Sequence, residues 1–70
     1  MKHKDAVRDT TRSLGRPVKS LGFDERQFGP VVVNIFWYSV EYTEDRDEPV
    51  TVHRFDVYVD GVNRVGMVID

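Results

Sequence analysis

Seventy residues with no cysteine and a formal net charge of −2 make one domain, residues 1–70, and exclude both disulfide staples and cysteine-ligated zinc. A chain this short buries only about 60% of its unfolded surface, so oligomerisation is the expected extra support for its core. No apolar run approaches the ~20 residues of a membrane span, and Met1–Leu14 lacks an apolar signal core; with no cysteine to oxidise, a cytoplasmic location and no membrane contact are expected.

The charge is unevenly spread. Residues 1–20 carry six Lys/Arg against Asp5 and Asp9, whereas residues 21–70 carry four against ten Asp/Glu. Such asymmetry implies either a charged partner or two halves that attract each other within the fold.

A helical region is expected over about residues 4–21. Val7, Thr11, Leu14, Val18 and Leu21 recur at 4-3-4-3 spacing and form one narrow stripe on a helical wheel. Lys4, Arg8, Arg12 and Arg16 follow on the flank and back, with Asp5 and Asp9 placed to pair with Arg8 and Arg12. Gly15 and Pro17 interrupt the pattern, because proline lacks an N–H and crowds the preceding turn. The expected arrangement is a helix from about Lys4 to Leu14, a break or kink, a short helical turn from Pro17 to Leu21, and a stop at Gly22. Residues 1–3, including His3, are expected to be mobile. Gly22 to Pro30 reads as a loop, with Phe23 and Phe28 as plugs under the sheet or helix edge.

Val31 to Tyr42, VVVNIFWYSVEY, is the densest apolar run. Its β-branched and aromatic residues, with Pro30 just before them, favour a strand. Both parities are apolar, so each face needs a cover. Thr43 to Pro49 is a polar connection. A second strand is expected over 50–59, a turn at Asp60-Gly61, and a third strand over 65–69.

Register decides which residues share a face. Pairing Tyr42 with Val50 sets Trp37 opposite Phe55, Ile35 opposite Val57 and Val33 opposite Val59. A loop over Asp60–Arg64 then sets Val65, Met67 and Ile69 opposite Val59, Val57 and Phe55. A two-residue Asp60-Gly61 turn would place Arg64 on this apolar face unless a bulge intervened. The nine residues so aligned are expected to lie under the helix stripe. The fold class is therefore α+β: two layers, with an N-terminal helix packed on one face of a three-stranded antiparallel β-meander (α-β-β-β).

The second face carries Phe36, Tyr38, Val40, Tyr42, Val52, Arg54 and Tyr58, together with Val32, Asn34 and Asp56, and no chain is left to cover it. Soluble monomers rarely expose an apolar patch beyond a few hundred Å². These residues are the expected protein interface of a homodimer or of a complex with a larger protein, with Tyr38 at its centre and Arg54 opposite Tyr38. On this reading Tyr38→Glu weakens association and spares the fold.

Catalytic constellations are absent. His53 and Asp56 lie three apart on one strand and hence on opposite faces. Ser13, Ser20 and Ser39 lack a nucleophile-elbow context, and the glycines are too scattered to cradle phosphate. The acidic loop Glu44, Asp45, Asp47, Glu48 lacks the glycine and downstream glutamate of an EF-hand and reads as solvated. No enzyme activity, metal, cofactor or small-molecule substrate is expected. The expected function is a protein-interaction module or small regulator. The alternative is a nucleic-acid-binding regulator that sets Lys4, Arg8, Arg12, Arg16 and Lys19 on phosphates.

Overall fold

The computed structural model describes the backbone of residues 1–43 and 48–69, and the side chains of 1–43 and 48–64. One helix, α1 (His3–Leu14), precedes four strands: β1 (Lys19–Phe28), β2 (Val31–Tyr42), β3 (Val50–Val59) and β4 (Val62–Ile69). The strands form one antiparallel sheet in sequence order, β1-β2-β3-β4. The α+β class and the N-terminal helix agree with the sequence reading, but the sheet has a fourth strand.

That strand is the stretch read as a loop. β1 pairs with β2 along its length, from Lys19 opposite Ser39 to Phe28 opposite Val31. Gly29 closes the hairpin at φ 59. Pro30 follows with its ring-fixed negative φ, giving the sign pattern of a II′ turn. β1 is an edge strand whose sequence KSLGFDERQF is mostly polar, the composition that keeps an edge from pairing with another chain. Its short apolar content hid it from a search for apolar alternation.

α1 ends where expected. Gly15 takes the left-handed conformation (φ 71) and its N–H donates to the Thr11 carbonyl at 2.9 Å. No helical turn follows, because Lys19–Leu21 belongs to β1. At the other end the Lys2 N–H donates to the Asp5 carboxylate at 3.2 Å, one half of a capping box; the lysine side chain has no acceptor to complete it. His3 is not loose: its ring stacks on Phe23 (centroids 5.2 Å apart) and meets the edge of Phe36 (5.7 Å). Its Nε2 lies 2.6 Å from Ser20 Oγ.

The main correction concerns the faces. α1 lies on the Phe36 face, not the Trp37 face. Ala6, Phe36, Tyr38 and Tyr58 are the buried core, and Met1, Val7, Leu14, Val18 and Phe23 pack against it. The helix stripe is turned by about one residue from the expected one: Ala6 and Thr10 are buried, whereas Thr11 is half-buried and Leu21 is exposed. A small residue at Ala6 lets the helix approach large rings. Phe36, Tyr38, Val40 and Tyr58, expected to form an open interface, are 0–2% exposed.

The physical reason lies in β1. A bulge at Leu21 shifts its register between Ser20 and Gly22 and so moves its parity by one. Phe23 then stands opposite Phe36, while Asp24 and Arg26 stand opposite Ile35 and Val33. A helix over the Trp37 face would lie on these two charged residues and leave Phe23 bare. Over the Phe36 face it covers Phe23 instead.

The β2–β3 register is the expected one, with Trp37 opposite Phe55, Tyr38 opposite Arg54 and Tyr42 opposite Val50. The last hairpin differs. Asp60 (φ 48) and Gly61 (φ 81) both sit at positive φ, the signature of a two-residue I′ turn. Val59 therefore pairs with Val62, and a bulge re-sets Val65 opposite Val57. Arg64 is the extra residue and is exposed. Asp60 also locks the turn to β2: its N–H donates to the Val32 carbonyl at 2.8 Å and its carboxylate accepts from the Val32 N–H at 3.0 Å.

Candidate interaction face

A twelve-residue helix is about 18 Å long and a twelve-residue strand about 40 Å, so α1 covers only part of one face of the sheet. The far end of that face is closed by the chain leaving the helix. Val18 packs on the core. The Arg16 guanidinium stands 4.4 Å from the centre of the Tyr42 ring and donates to the Glu41 carbonyl at 3.2 Å.

The other face has no cover among the described residues. Val33, Ile35 and Trp37 of β2 stand opposite Val59, Val57 and Phe55 of β3, and all six are half-buried, shielded only by strand neighbours. On β1, Gly22 lies beside the indole, where a side-chain Cβ would stand 3.5 Å from Trp37 Cε3. Three exposed apolar residues edge this field: Phe28 (62% exposed) opposite Val31, Val62 (50%) opposite Val59, and Leu21 (49%) at the bulge. Lengthwise the face changes character, and a shallow cleft of about 540 Å³ among Lys19, Leu21, Ser39, Glu41, Thr51 and His53 forms its polar end.

The charges on this face compensate one another. Arg26 Nε donates to Asp24 Oδ2 at 2.9 Å. That bond, with help from the Glu25 N–H, holds the Asp24 carboxyl below its usual range. Lys19 and Glu41 stand together at the polar end.

The expected interface residues fall elsewhere. Phe36, Tyr38, Val40 and Tyr58 are core; Tyr42, Val52 and Arg54 are half-buried on the helix side. The signal that could have exposed the reversal is the DER tripeptide at Asp24–Arg26: read as a strand, it marks which face meets water. His53 is exposed and Asp56 buried on opposite faces, as their spacing required.

The basic residues divide between one side of the helix and the chain beyond it. Lys4, Arg8 and Arg12 are exposed on α1, with Arg8 Nη2 paired to Asp5 Oδ1 at 2.8 Å. Arg16 is engaged with Tyr42, and Lys19 lies on β1. Glu44, Asp45 and Asp47 of the acidic loop lie outside the described residues. Among the described residues no cluster of His, Cys, Asp and Glu has metal-binding geometry, and no helix is long and apolar enough to cross a membrane. Comparison with protein-family models, curated proteins and solved structures gives no match.

Proposed function

We propose that this chain is a small non-catalytic protein-interaction module that works as a homodimer, seating its Trp37 face on the same face of a second copy. The observation that carries the reading is the uncovered apolar field Val33, Ile35, Trp37, Phe55, Val57 and Val59, half-buried with no element over it among the described residues.

Size supports a second copy. The molecule measures 48 × 22 × 17 Å with a radius of gyration of 13.1 Å, against about 11 Å for a compact 70-residue domain. It exposes 5010 Å², where a compact monomer of its mass has about 4500 Å².

Charge supports self-association as well. Asp24–Arg26 is internally neutral, and Lys19 and Glu41 balance each other, so two copies meet without net repulsion. Packed as an aligned sandwich at about 10 Å between sheets, the two faces would build the second core layer that one chain lacks.

The test is light scattering coupled to size exclusion at several concentrations. Wild type runs as a dimer that dissociates on dilution, and Trp37→Glu runs as a monomer with its far-ultraviolet circular dichroism retained. A wild type that is monomeric at its highest soluble concentration overturns the reading.

A further inference from the structure

On the helix side of the sheet, a cleft of about 470 Å³ opens between the C-terminal half of α1 and the β3–β4 end. Its lining is polar in a way the rest of the core is not: Thr10, Tyr38, Arg54, Asp56, Tyr58 and Asn63. Tyr58 is 2% exposed, and its buried Oη makes no hydrogen bond, although the Thr10 and Asn63 side chains stand near it. Native interiors rarely leave such a hydroxyl unpaired.

Two charged groups stand beside it. Asp56 is 6% exposed and accepts from Thr10 Oγ1 at 3.2 Å. Arg54 donates through Nε to Tyr38 Oη at 3.2 Å, and its terminal nitrogens make no further hydrogen bond or ion pair among the described residues. Arg54 and Asp56 are two residues apart on one face of β3, about 7 Å along the strand. They nevertheless form no ion pair with each other. Burial raises the Asp56 carboxyl above its ordinary value, against the opposing effects of Thr10, Arg54, Asn63 and Tyr38. A carboxylate, a guanidinium and an unpaired phenol thus converge on space that the helix leaves open.

One ligand chemistry satisfies all three groups. We propose that this cleft binds a small zwitterion of the free amino-acid class. Its ammonium is held by the Asp56 carboxylate and Tyr58 Oη, and its carboxylate by the Arg54 guanidinium. A simple anion would be repelled by Asp56, and a simple amine would be repelled by Arg54. The site departs from the sequence expectation of no small-molecule ligand. It lies on the opposite face from the proposed dimer, so the two readings stand or fall separately.

The experiment is a ¹⁵N–¹H correlation titration of the whole chain with each of the twenty free amino acids, and with acetate and methylamine as half-ligands. At least one amino acid gives saturable shifts centred on Thr10, Arg54, Asp56 and Tyr58, and neither half-ligand saturates in the same range. Arg54→Gln and Tyr58→Phe each weaken that binding roughly tenfold, the size of one lost charge-assisted hydrogen bond. Tyr58→Phe melts no lower than wild type, because it removes only the unpaired hydroxyl. Absence of saturable shifts with every amino acid overturns the proposal. So does acetate or methylamine binding as tightly as any amino acid, or unchanged affinity in both variants.

Discussion

The two faces of this sheet carry comparable apolar content, yet only one is sealed. The sealed face holds Phe36, Tyr38, Val40 and Tyr58 together with Asn34 and Asp56. The unsealed face holds Val33, Ile35, Trp37, Phe55, Val57 and Val59 on β2 and β3, with the charged Asp24 and Arg26 beside them on the edge strand β1. Apolar count alone would send the helix to the second face. What decides is where polar groups find partners. Thr10 brings a hydroxyl to Asp56, Arg54 meets Tyr38 Oη, and Asn34 Nδ2 reaches the Asp24 carbonyl (3.4 Å) and Glu25 Oε1 (3.3 Å). On the unsealed face the Asp24–Arg26 pair stays in water. Closure follows the face whose polar atoms the chain can satisfy by itself. On the proposed reading the other face takes a partner that brings no unpaired polar atoms to it, and a second copy of the same face is the proposed one.

The largest expected effect comes from charging the sealed face. Tyr38→Glu places a carboxylate at a site 1% exposed and costs more than about 4 kcal/mol. An unfolded chain by circular dichroism is the expected result; a folded variant would mean that the helix does not close this face.

A matched pair sharpens the contrast. Phe36→Ala empties the sealed core and costs about 3–5 kcal/mol. Phe55→Ala, on the unsealed face, costs no more than about 2 kcal/mol in the monomer, because half-buried apolar area is worth less. Denaturation midpoints measured at a concentration where the wild type is monomeric compare them. Equal losses would show the faces to be equally buried within one chain.

A smaller effect lies in the pH dependence. Burial raises the Asp56 carboxyl above 3.8 in the folded state, with the Thr10 hydroxyl bond opposing. The folded chain therefore holds this proton more tightly than the unfolded one, and the carboxyl's contribution declines as pH rises from about 4 through its folded value. Asp56→Asn removes that decline. The difference in stability between wild type and variant should shift toward the variant across this window. A constant difference would place Asp56 in water.

Much of the architecture was legible in the residues. The end of the first helical stretch at Leu14, the β2–β3 register from Tyr42–Val50 to Val33–Val59, and the opposition of Tyr38 and Arg54 follow from glycine and proline chemistry and strand parity, whereas the stop read at Gly22 falls inside β1. What could not be read turned on two bulges. The one at Leu21 shifts the parity of a strand already disguised by DERQ, and the one near Arg64 makes a two-residue Asp60-Gly61 turn compatible with an apolar row. A bulge is a backbone insertion set by the paired strand, and alternation within one strand carries no trace of it. Reversal of the faces followed from missing β1. The cleft around Asp56 was hidden for the same reason, since it exists only once the helix lies on the Tyr58 side.

Trp37 is the only tryptophan and stands in the middle of the unsealed face, so its emission reports directly on whether that face is covered. Wild type should show a blue-shifted maximum at high concentration that moves to the red on dilution, over the same range in which light scattering records dissociation. Val57→Lys, which sets a charge opposite Ile35, should be red-shifted at every concentration. A wild-type maximum that is independent of concentration and equal to that of Val57→Lys would contradict the account.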